Sequence, residues 1–191
     1  MTDAVGLVRH ARTAWTGRRW VGRRDLPLSR AGRREAVSLA AALAPVLPVE
    51  ARILASPAAR ARDTAAAIAR AIGAPVELVA GLREVDVGQA EGLAWRDLER
   101  GVPDLATRIL AGEGVDWPGG ESRAEVAARA LGLRVDIEAS PRPVVAVGHA
   151  GILAALAAAF LGPGGPPVGL APAGWIALRR DGLEWQSSEA A

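Results

Sequence analysis

The two histidines of the chain stand in matching sequence contexts. His10 follows the apolar run Val5–Val8, and His149 follows the apolar run Val144–Val147. Each run has the composition of a buried strand, and in open α/β sheets ligands bind outside the carboxyl ends of the strands. Two imidazoles delivered to that edge can meet in one crevice. A lone histidine is better interpreted as a hydrogen-bonded core or turn residue, but this matched pair favours a shared role.

Arginines reach the same edge of the predicted sheet. Arg9 directly precedes His10, and Arg60 lies on the first turns of the helix predicted after the second strand. One guanidinium group can bind two phosphate oxygens at once, and it stays charged. The amino end of a helix also favours an anion. The pattern therefore indicates a phosphate site. Arg62 and Arg70, on the same helix, are interpreted as part of a solvated face.

Short β-like runs alternate with helix-like stretches along the chain, which predicts an α/β fold. We expect a three-layer sandwich: a largely parallel central sheet, helices on both faces and a C-terminal antiparallel hairpin. The predicted strands are Ala4–Val8, Ile53–Ala55, Val76–Val79, Pro143–Val147, Trp175–Arg180 and Leu183–Ser187. Three predicted helices begin after a serine cap: one after Ser29 that ends at about Leu43, one after Ser56 that ends at about Ile72, and one after Ser122 that ends at about Glu138. Three further helices are predicted over Trp95–Arg100, Pro103–Ala111 and Gly151–Leu161.

Several local signals fix these boundaries. Ser56 is a candidate N-cap with Pro57 at the first helical position, and Ser122-Arg-Ala-Glu125 has capping-box spacing. Asp181-Gly182 is a two-residue hairpin signal. A Gly/Pro-rich loop is predicted over Gly162–Gly174. No repeat and no second-domain boundary is found, so residues 1–191 are expected to form one domain.

The composition excludes several kinds of chemistry. No cysteine is present, which removes disulfides, thiolate catalysis and cysteine-based zinc sites. All 23 cationic residues are arginine, and the net charge is only +2. Arginines and carboxylates nearly balance without runs of like charge, so nucleic-acid binding is not favoured. The sequence shows no signal peptide, and the apolar stretch Val144–Gly162 is better interpreted as a buried strand and helix than as a membrane span. A cytoplasmic protein is expected.

At the level of ordered motifs, the chain resembles the histidine phosphatase superfamily, which includes cofactor-dependent phosphoglycerate mutases and many small-molecule phosphatases. The similar blocks run from residue 8 to residue 152 in the family order. They are Arg9-His10-Ala11-Arg12-Thr13, the segment Gly22–Gly32, Ser56-Pro57-Ala-Ala-Arg60-Ala-Arg-Asp-Thr64-Ala65, Leu82-Arg-Glu84-Val-Asp-Val-Gly88-Gln-Ala-Glu91-Gly92, Pro118-Gly-Gly-Glu121-Ser122 and Gly148-His149-Ala-Gly151.

The resemblance implies a role for each matching residue. His10 is expected to attack phosphorus and form a phosphohistidine, while Arg9, Arg60 and His149 surround the phosphate oxygens. Glu84 is expected to protonate the leaving alcohol and then to activate water, which needs a raised pKa. The alternative for Glu84 is a surface carboxylate paired with the neighbouring arginine at position 83.

Other matching positions carry smaller expectations. Thr16 stands where an asparagine often contacts phosphate in the family, and Thr13 could orient the turn or touch the ligand. Ala11 replaces the family's glycine, which a backbone with negative φ would allow. Residue 150 is alanine, so the His-Asp pair of the acid-phosphatase branch is missing and Glu84 is the better acid candidate. Trp15, Trp20 and Trp117 are candidates for lining the substrate pocket.

Taken with the residues, the resemblance predicts a metal-independent phosphomonoesterase with no cofactor, acting on a small phosphomonoester as a monomer or homodimer. The short chain and the block Glu84-Val-Asp-Val-Gly88 place a phosphatase ahead of a mutase. A phosphoglycerate-type mutase and a non-catalytic member that binds a phosphorylated ligand or a partner are the alternatives. The substrate stays open between sugar phosphates, a ribazole-type phosphate and phosphoglycerate.

Overall fold

A computed structural model describes residues 3–111, 113–162 and 164–188. The ends of the predicted domain and residue 163 of the predicted loop Gly162–Gly174 lie outside these residues. The central sheet has six strands in the order β3-β2-β4-β1-β5-β6. They are β1 (Ala4–Arg9), β2 (Arg52–Ala55), β3 (Val76–Leu78), β4 (Val144–Gly148), β5 (Trp175–Asp181) and β6 (Glu184–Ser188).

The sheet has the predicted mixture of directions. Strands β1 to β4 pair in parallel, while β5 is antiparallel to β1 and β6 is antiparallel to β5. The helices are α1 (Arg30–Leu43), α2 (Ala59–Ile72), α3 (Trp95–Gly101), α4 (Pro103–Leu110), α5 (Arg123–Glu138) and α6 (Ala150–Leu161).

Two hydrophobic clusters cover the two faces of the sheet. Alternate residues of each strand point to opposite faces, so Val8 packs on α1 and α2 while Leu7 packs on α5 and α6. Each buried side chain of this size stabilises the fold by roughly 1.5–3 kcal/mol relative to exposure. The prediction of an α/β sandwich with helices on both faces is confirmed.

The predicted caps at Ser29 and Ser122 are confirmed. The Ser29 hydroxyl accepts a hydrogen bond from the Gly32 amide at 3.0 Å. Ser122 and Glu125 form a complete capping box, in which the Ser122 amide donates to Glu125 Oε2 at 2.8 Å. A Cβ at position 32 would collide with the carbonyl of Arg12, so only glycine lets α1 pack this closely against the chain after β1.

The predicted start of the second helix is wrong. Helix α2 begins at Ala59, and Ser56 and Pro57 lie before it. The Ser56 hydroxyl lies 2.9 Å from His149 Nε2, so it is held by the site and does not cap the helix. Instead, a carboxylate oxygen of Asp25 accepts a hydrogen bond from the Ala59 amide at the start of α2, at 2.6 Å.

The C-terminal hairpin is confirmed, but its turn lies one residue later than predicted. Asp181 pairs with Glu184 in the ladder, so the turn residues are Gly182 and Leu183. Gly182 has φ +61°, and glycine adopts this conformation without the steric cost that other residues pay. In the described part of the chain, no helix is long and apolar enough to cross a bilayer.

Candidate active site

The two histidines meet at the carboxyl edge of the sheet. They follow β1 and β4, which are adjacent parallel strands with Arg9 opposite Gly148. The His10 amide donates to the Gly148 carbonyl at 2.9 Å, which fixes the two strand ends at the same level. The imidazole centroids are 5.0 Å apart with an interplanar angle of 63°. Both side chains are buried.

Hydrogen bonding determines which nitrogen of His10 is reactive. His10 Nδ1 lies 2.7 Å from the carbonyl oxygen of Ala11. Because a carbonyl oxygen only accepts, Nδ1 carries the proton and Nε2 keeps its lone pair. Burial lowers the pKa of His10 to about 3. The hydrogen bond to the Ala11 carbonyl opposes this shift, and the charges of Arg60 and Arg9 add to it. His10 is therefore a neutral imidazole with a free Nε2 at neutral pH.

His149 uses both of its ring nitrogens within the protein. Arg60 Nε donates to Nδ1 at 3.2 Å, so the proton lies on Nε2, which donates to the Ser56 hydroxyl. Burial, assisted by the Arg60 charge, lowers the pKa of His149 well below its usual value. The ring does not line the cavity described below, but it fixes the guanidinium beside it. Direct contact between His149 and phosphate stays a prediction.

Arg60 is fully buried and held from three sides. Besides its bond to His149, it donates from Nη1 to the Arg24 carbonyl at 2.6 Å and from Nη2 to the Gly22 carbonyl at 2.9 Å. A guanidinium has five N–H groups, so two of them are left for a ligand. Burial lowers the pKa of Arg60, and the nearby Glu84 opposes that shift.

Arg9 offers a second cationic donor at the same place. Its Nη1 donates to the Leu170 carbonyl at 2.7 Å, which directs the side chain along the cavity. Its Nε is buried and has no hydrogen-bond partner among the described residues. A buried unpaired donor costs roughly 1–3 kcal/mol, so an anion that accepts from it is favoured. Burial lowers the pKa of Arg9, and Glu84 opposes that shift.

Glu84 is docked by one oxygen on the amino end of α6. Oε1 accepts from the amides of Val85 (2.9 Å), Gly151 (3.1 Å) and Ile152 (3.3 Å). Burial raises the pKa of Glu84, against opposing effects of the Val85 amide and Arg60. Because three donors already occupy Oε1, the proton of the neutral acid lies on Oε2. Glu84 makes no ion pair with the neighbouring arginine, so the surface-pair alternative is wrong.

The segment that carries Glu84 is anchored by an ion pair that sequence reasoning missed. Arg129 Nη1 donates to the carbonyls of Gly81 (2.7 Å) and Arg83 (2.8 Å). The same guanidinium binds Glu121 through two bonds of 3.0 and 2.7 Å, and Glu121 accepts from the Asp86 amide at 2.9 Å. Glu121 stands in one of the family-like blocks, but Arg129 follows outside it.

The two threonines play different parts. Thr16 Oγ1 accepts from the Thr13 amide at 2.9 Å, and Thr13 Oγ1 accepts from the Trp15 amide at 3.2 Å. Thr16 lines the cavity and can offer its hydroxyl to a ligand, whereas Thr13 is buried and closes the turn after His10. The φ angle of Ala11 is not positive, so an alanine is accommodated there without strain.

These residues surround one cavity of about 650 Å³. Arg9, His10, Arg60 and Glu84 all line it. Trp20 and Trp117 line it as expected, and Trp95 does so without having been singled out in the sequence. Trp15 does not line it, because its ring packs against the guanidinium of Arg24 at 5.6 Å.

Comparison with known proteins agrees with this geometry. The family model of the histidine phosphatase superfamily (branch 1) matches residues 5–189. The chain belongs to the histidine phosphatase superfamily. Among curated members, it is 36% identical to the glucosyl-3-phosphoglycerate phosphatase of Mycolicibacterium vanbaalenii over 168 residues, or 82% of this chain and 73% of the relative. It is 35% identical to a probable phosphoglycerate mutase of Cronobacter sakazakii over 173 residues, or 83% of this chain and 74% of the relative.

Solved structures of this superfamily share the fold over nearly the whole chain. A mycobacterial glucosyl-3-phosphoglycerate phosphatase in complex with VO3 superposes with a TM-score of 0.85. It is 32% identical, and the match covers 98% of each chain. The same phosphatase in complex with inorganic phosphate gives a TM-score of 0.82 at 31% identity, covering 98% of this chain and 96% of the other.

Proposed function

We propose that this histidine phosphatase superfamily member hydrolyses a small phosphorylated sugar metabolite through a phosphohistidine at His10, without a metal ion, as a single catalytic domain. One observation carries the proposal. His10, whose Nε2 is unprotonated, lines the same cavity as Arg9, Arg60 and Glu84. Nucleophile, anion-binding donors and proton donor are thus assembled together.

In the first step, the Nε2 lone pair of His10 attacks phosphorus and the bond from phosphorus to the ester oxygen breaks. Glu84 gives its Oε2 proton to the departing alkoxide, which leaves as the alcohol. The Nδ1–H of His10 keeps donating to the Ala11 carbonyl, and this bond stabilises the charge that develops on the ring. Arg9 and Arg60 stabilise the charge on the phosphoryl oxygens, which is the main demand in phosphoryl transfer.

In the second step, the Glu84 carboxylate takes a proton from a water molecule as that water attacks phosphorus. The bond from phosphorus to His10 Nε2 breaks, inorganic phosphate forms, and His10 is again neutral. Glu84 is protonated for the next cycle. The raised pKa of Glu84 suits both roles, because the group must exchange a proton near neutral pH.

The similarity to a glucosyl-3-phosphoglycerate phosphatase, which is 36% identical to this chain over 168 residues, supports a sugar phosphate as the substrate. A phosphoglycerate mutase is the second candidate, supported by the relative of that name. The two differ in the acceptor of the phosphoryl group: water for the phosphatase, a second hydroxyl for the mutase. We further propose that the enzyme acts in the cytoplasm, as a monomer or homodimer, on metabolites rather than nucleic acids.

The test is a phosphate-release assay on the purified chain after treatment with EDTA. Hexose phosphates, nitrophenyl phosphate and 3-phosphoglycerate serve as substrates, and both inorganic phosphate and 2-phosphoglycerate are measured. We expect phosphate release that survives the chelator and no 2-phosphoglycerate. Activity that requires added magnesium or zinc contradicts the metal-free mechanism, and isomerisation without phosphate release supports the mutase.

A further inference from the structure

The catalytic cavity has two chemically different halves. The candidate catalytic residues Arg9, His10, Arg60 and Glu84 form one part of its lining, called the base here. The rest of the lining, called the outer half here, consists mainly of tryptophan rings and aliphatic side chains and also includes Thr16, Arg18 and Arg19. Its apolar members include Trp20, Trp95, Trp117, Val85, Val87, Ala154, Val168 and Leu170. The base accounts for binding a phosphate and breaking its ester bond. The outer half is the part of the cavity that faces whatever alcohol the phosphate carries.

The three tryptophans form a pre-built wall. The Trp20 ring packs edge-on against Trp117 at 5.2 Å between centroids and lies 6.1 Å from Trp95. All three are half-buried and pack on a small hydrophobic cluster that includes Val87 and Leu98. Edge-on packing of this kind adds about 0.5–1.5 kcal/mol per pair beyond burial, so the wall does not need a ligand to form.

The size of the cavity exceeds what a phosphate needs. Four phosphate oxygens, each about as large as a water molecule of ~30 Å³, take up on the order of 120 Å³. The cavity holds about 650 Å³. A three-carbon acid such as phosphoglycerate would leave most of the tryptophan wall against water. A larger group with an apolar face would cover the wall and gain the free energy of that burial.

We propose that the alcohol released by this enzyme carries a six-membered ring, and that Trp20, Trp95 and Trp117 select it by contact with the apolar face of that ring. This inference rests on the proposed phosphatase activity and deepens it. The π-face of an aromatic ring is electron-rich, and the axial C–H groups of a pyranose or a carbocycle are weakly positive, so the two surfaces attract each other. The wall thus acts as a specificity element, separate from the phosphate-binding base.

The first test compares substrates that differ in the ring but not in the kind of leaving group. Cyclohexylmethyl phosphate and glucose 6-phosphate are compared with ethyl phosphate and glycerol 3-phosphate, all of which release an alkoxide. We expect kcat/KM to be on the order of tenfold or more higher for the ring-bearing pair. Equal values for both pairs overturn the inference while leaving the phosphatase activity in place. Failure to hydrolyse any of them, or nitrophenyl phosphate, removes the proposed function and the inference together.

The second test fills the outer half of the cavity without touching its base. Ala154 lies on α6 and lines the cavity, whereas Ala158 lies one turn further along the same helix, is exposed and does not line it. Ala154→Phe should lower kcat/KM for the ring-bearing substrates by a larger factor than for ethyl phosphate, whereas Ala158→Phe should preserve the preference. Trp117→Leu should weaken the preference in the same direction. Equal losses for both kinds of substrate in Ala154→Phe overturn the inference.

Discussion

Gly151 and Glu84 are in direct contact across the active site. The Gly151 amide donates to Glu84 Oε1 at 3.1 Å, so the candidate acid is held by the helix that follows the second histidine. A Cβ at position 151 would lie 2.8 Å from that oxygen and 2.8 Å from Val85 Cγ2. Glycine is therefore needed here for close approach. The carboxyl group and the amino end of α6 fit together only without a side chain between them.

Gly151→Ala is expected to displace the Glu84 carboxyl and to slow phosphoenzyme formation from alkyl phosphates by roughly 10–100-fold, because general-acid help is worth ~10²–10⁴-fold in full. Nitrophenyl phosphate, whose leaving group needs little protonation, should lose much less. Single-turnover rates with the two substrates measure this. Gly132→Ala is the matched control, since a Cβ at that α5 position meets nothing within 4 Å. Equal losses with both substrates would show that Gly151 does not act through Glu84.

Arg129→Met is also expected to slow phosphoenzyme formation more for alkyl phosphates than for nitrophenyl phosphate, because Arg129 holds the segment that carries Glu84. Without the guanidinium, the carbonyls of Gly81 and Arg83 lose their donor and the segment carrying Glu84 is no longer fixed. We expect a loss of roughly tenfold in single-turnover phosphoenzyme formation from alkyl phosphates and a smaller one for nitrophenyl phosphate.

The control for Arg129→Met is Arg52→Met. Arg52 makes an equally bidentate pair with Glu77, at 3.0 and 2.7 Å, between β2 and β3. Thermal unfolding of both variants separates lost stability from lost positioning. A loss of rate in Arg129→Met that is the same for both leaving groups, or that Arg52→Met reproduces, contradicts the positioning role.

The two histidines make the protein sensitive to acid. In the unfolded chain a histidine takes up its proton near pH 6.5, whereas burial lowers the pKa of folded His10 to about 3. Between these values the unfolded state binds more protons, so stability falls as pH falls from 6.5 towards 3. His10→Gln should reduce that slope by up to about 1.4 kcal/mol per pH unit. Denaturant unfolding at a series of pH values measures it, and an unchanged slope would show that His10 is not buried as a neutral ring.

The fold and much of the site could be predicted because their signals are local. The apolar runs before His10 and His149 predict strands, and parallel pairing of those strands brings the rings together. Ser56 could not be assigned correctly, because its partner His149 is 93 positions away and competes with the helix cap. Arg129 acts on carbonyls 46 and 48 positions away, and such contacts leave no mark in a short motif.

Trp95 shows the same limit in the substrate-facing wall. It belongs to α3, outside every family-like block, and only tertiary packing places it beside Trp20. The prediction that Trp15 lines the substrate pocket is wrong for a related reason. Trp15 is close in sequence to the candidate nucleophile, but its ring packs against the guanidinium groups of Arg19 and Arg24, at 5.9 and 5.6 Å, and does not line the cavity. Proximity along the chain did not decide which side chains line the site.

Trapping the phosphoenzyme tests the central claim most directly. The protein is mixed rapidly with a labelled phosphomonoester and denatured in alkali, where phosphohistidine survives, and the label is located by peptide mass spectrometry. We expect the label on His10, none in His10→Ala, and a slower but present adduct in His149→Ala, because His149 positions Arg60 through its Nδ1. A label on any other residue, or an adduct that persists in His10→Ala, would contradict the assignment of His10 as the nucleophile.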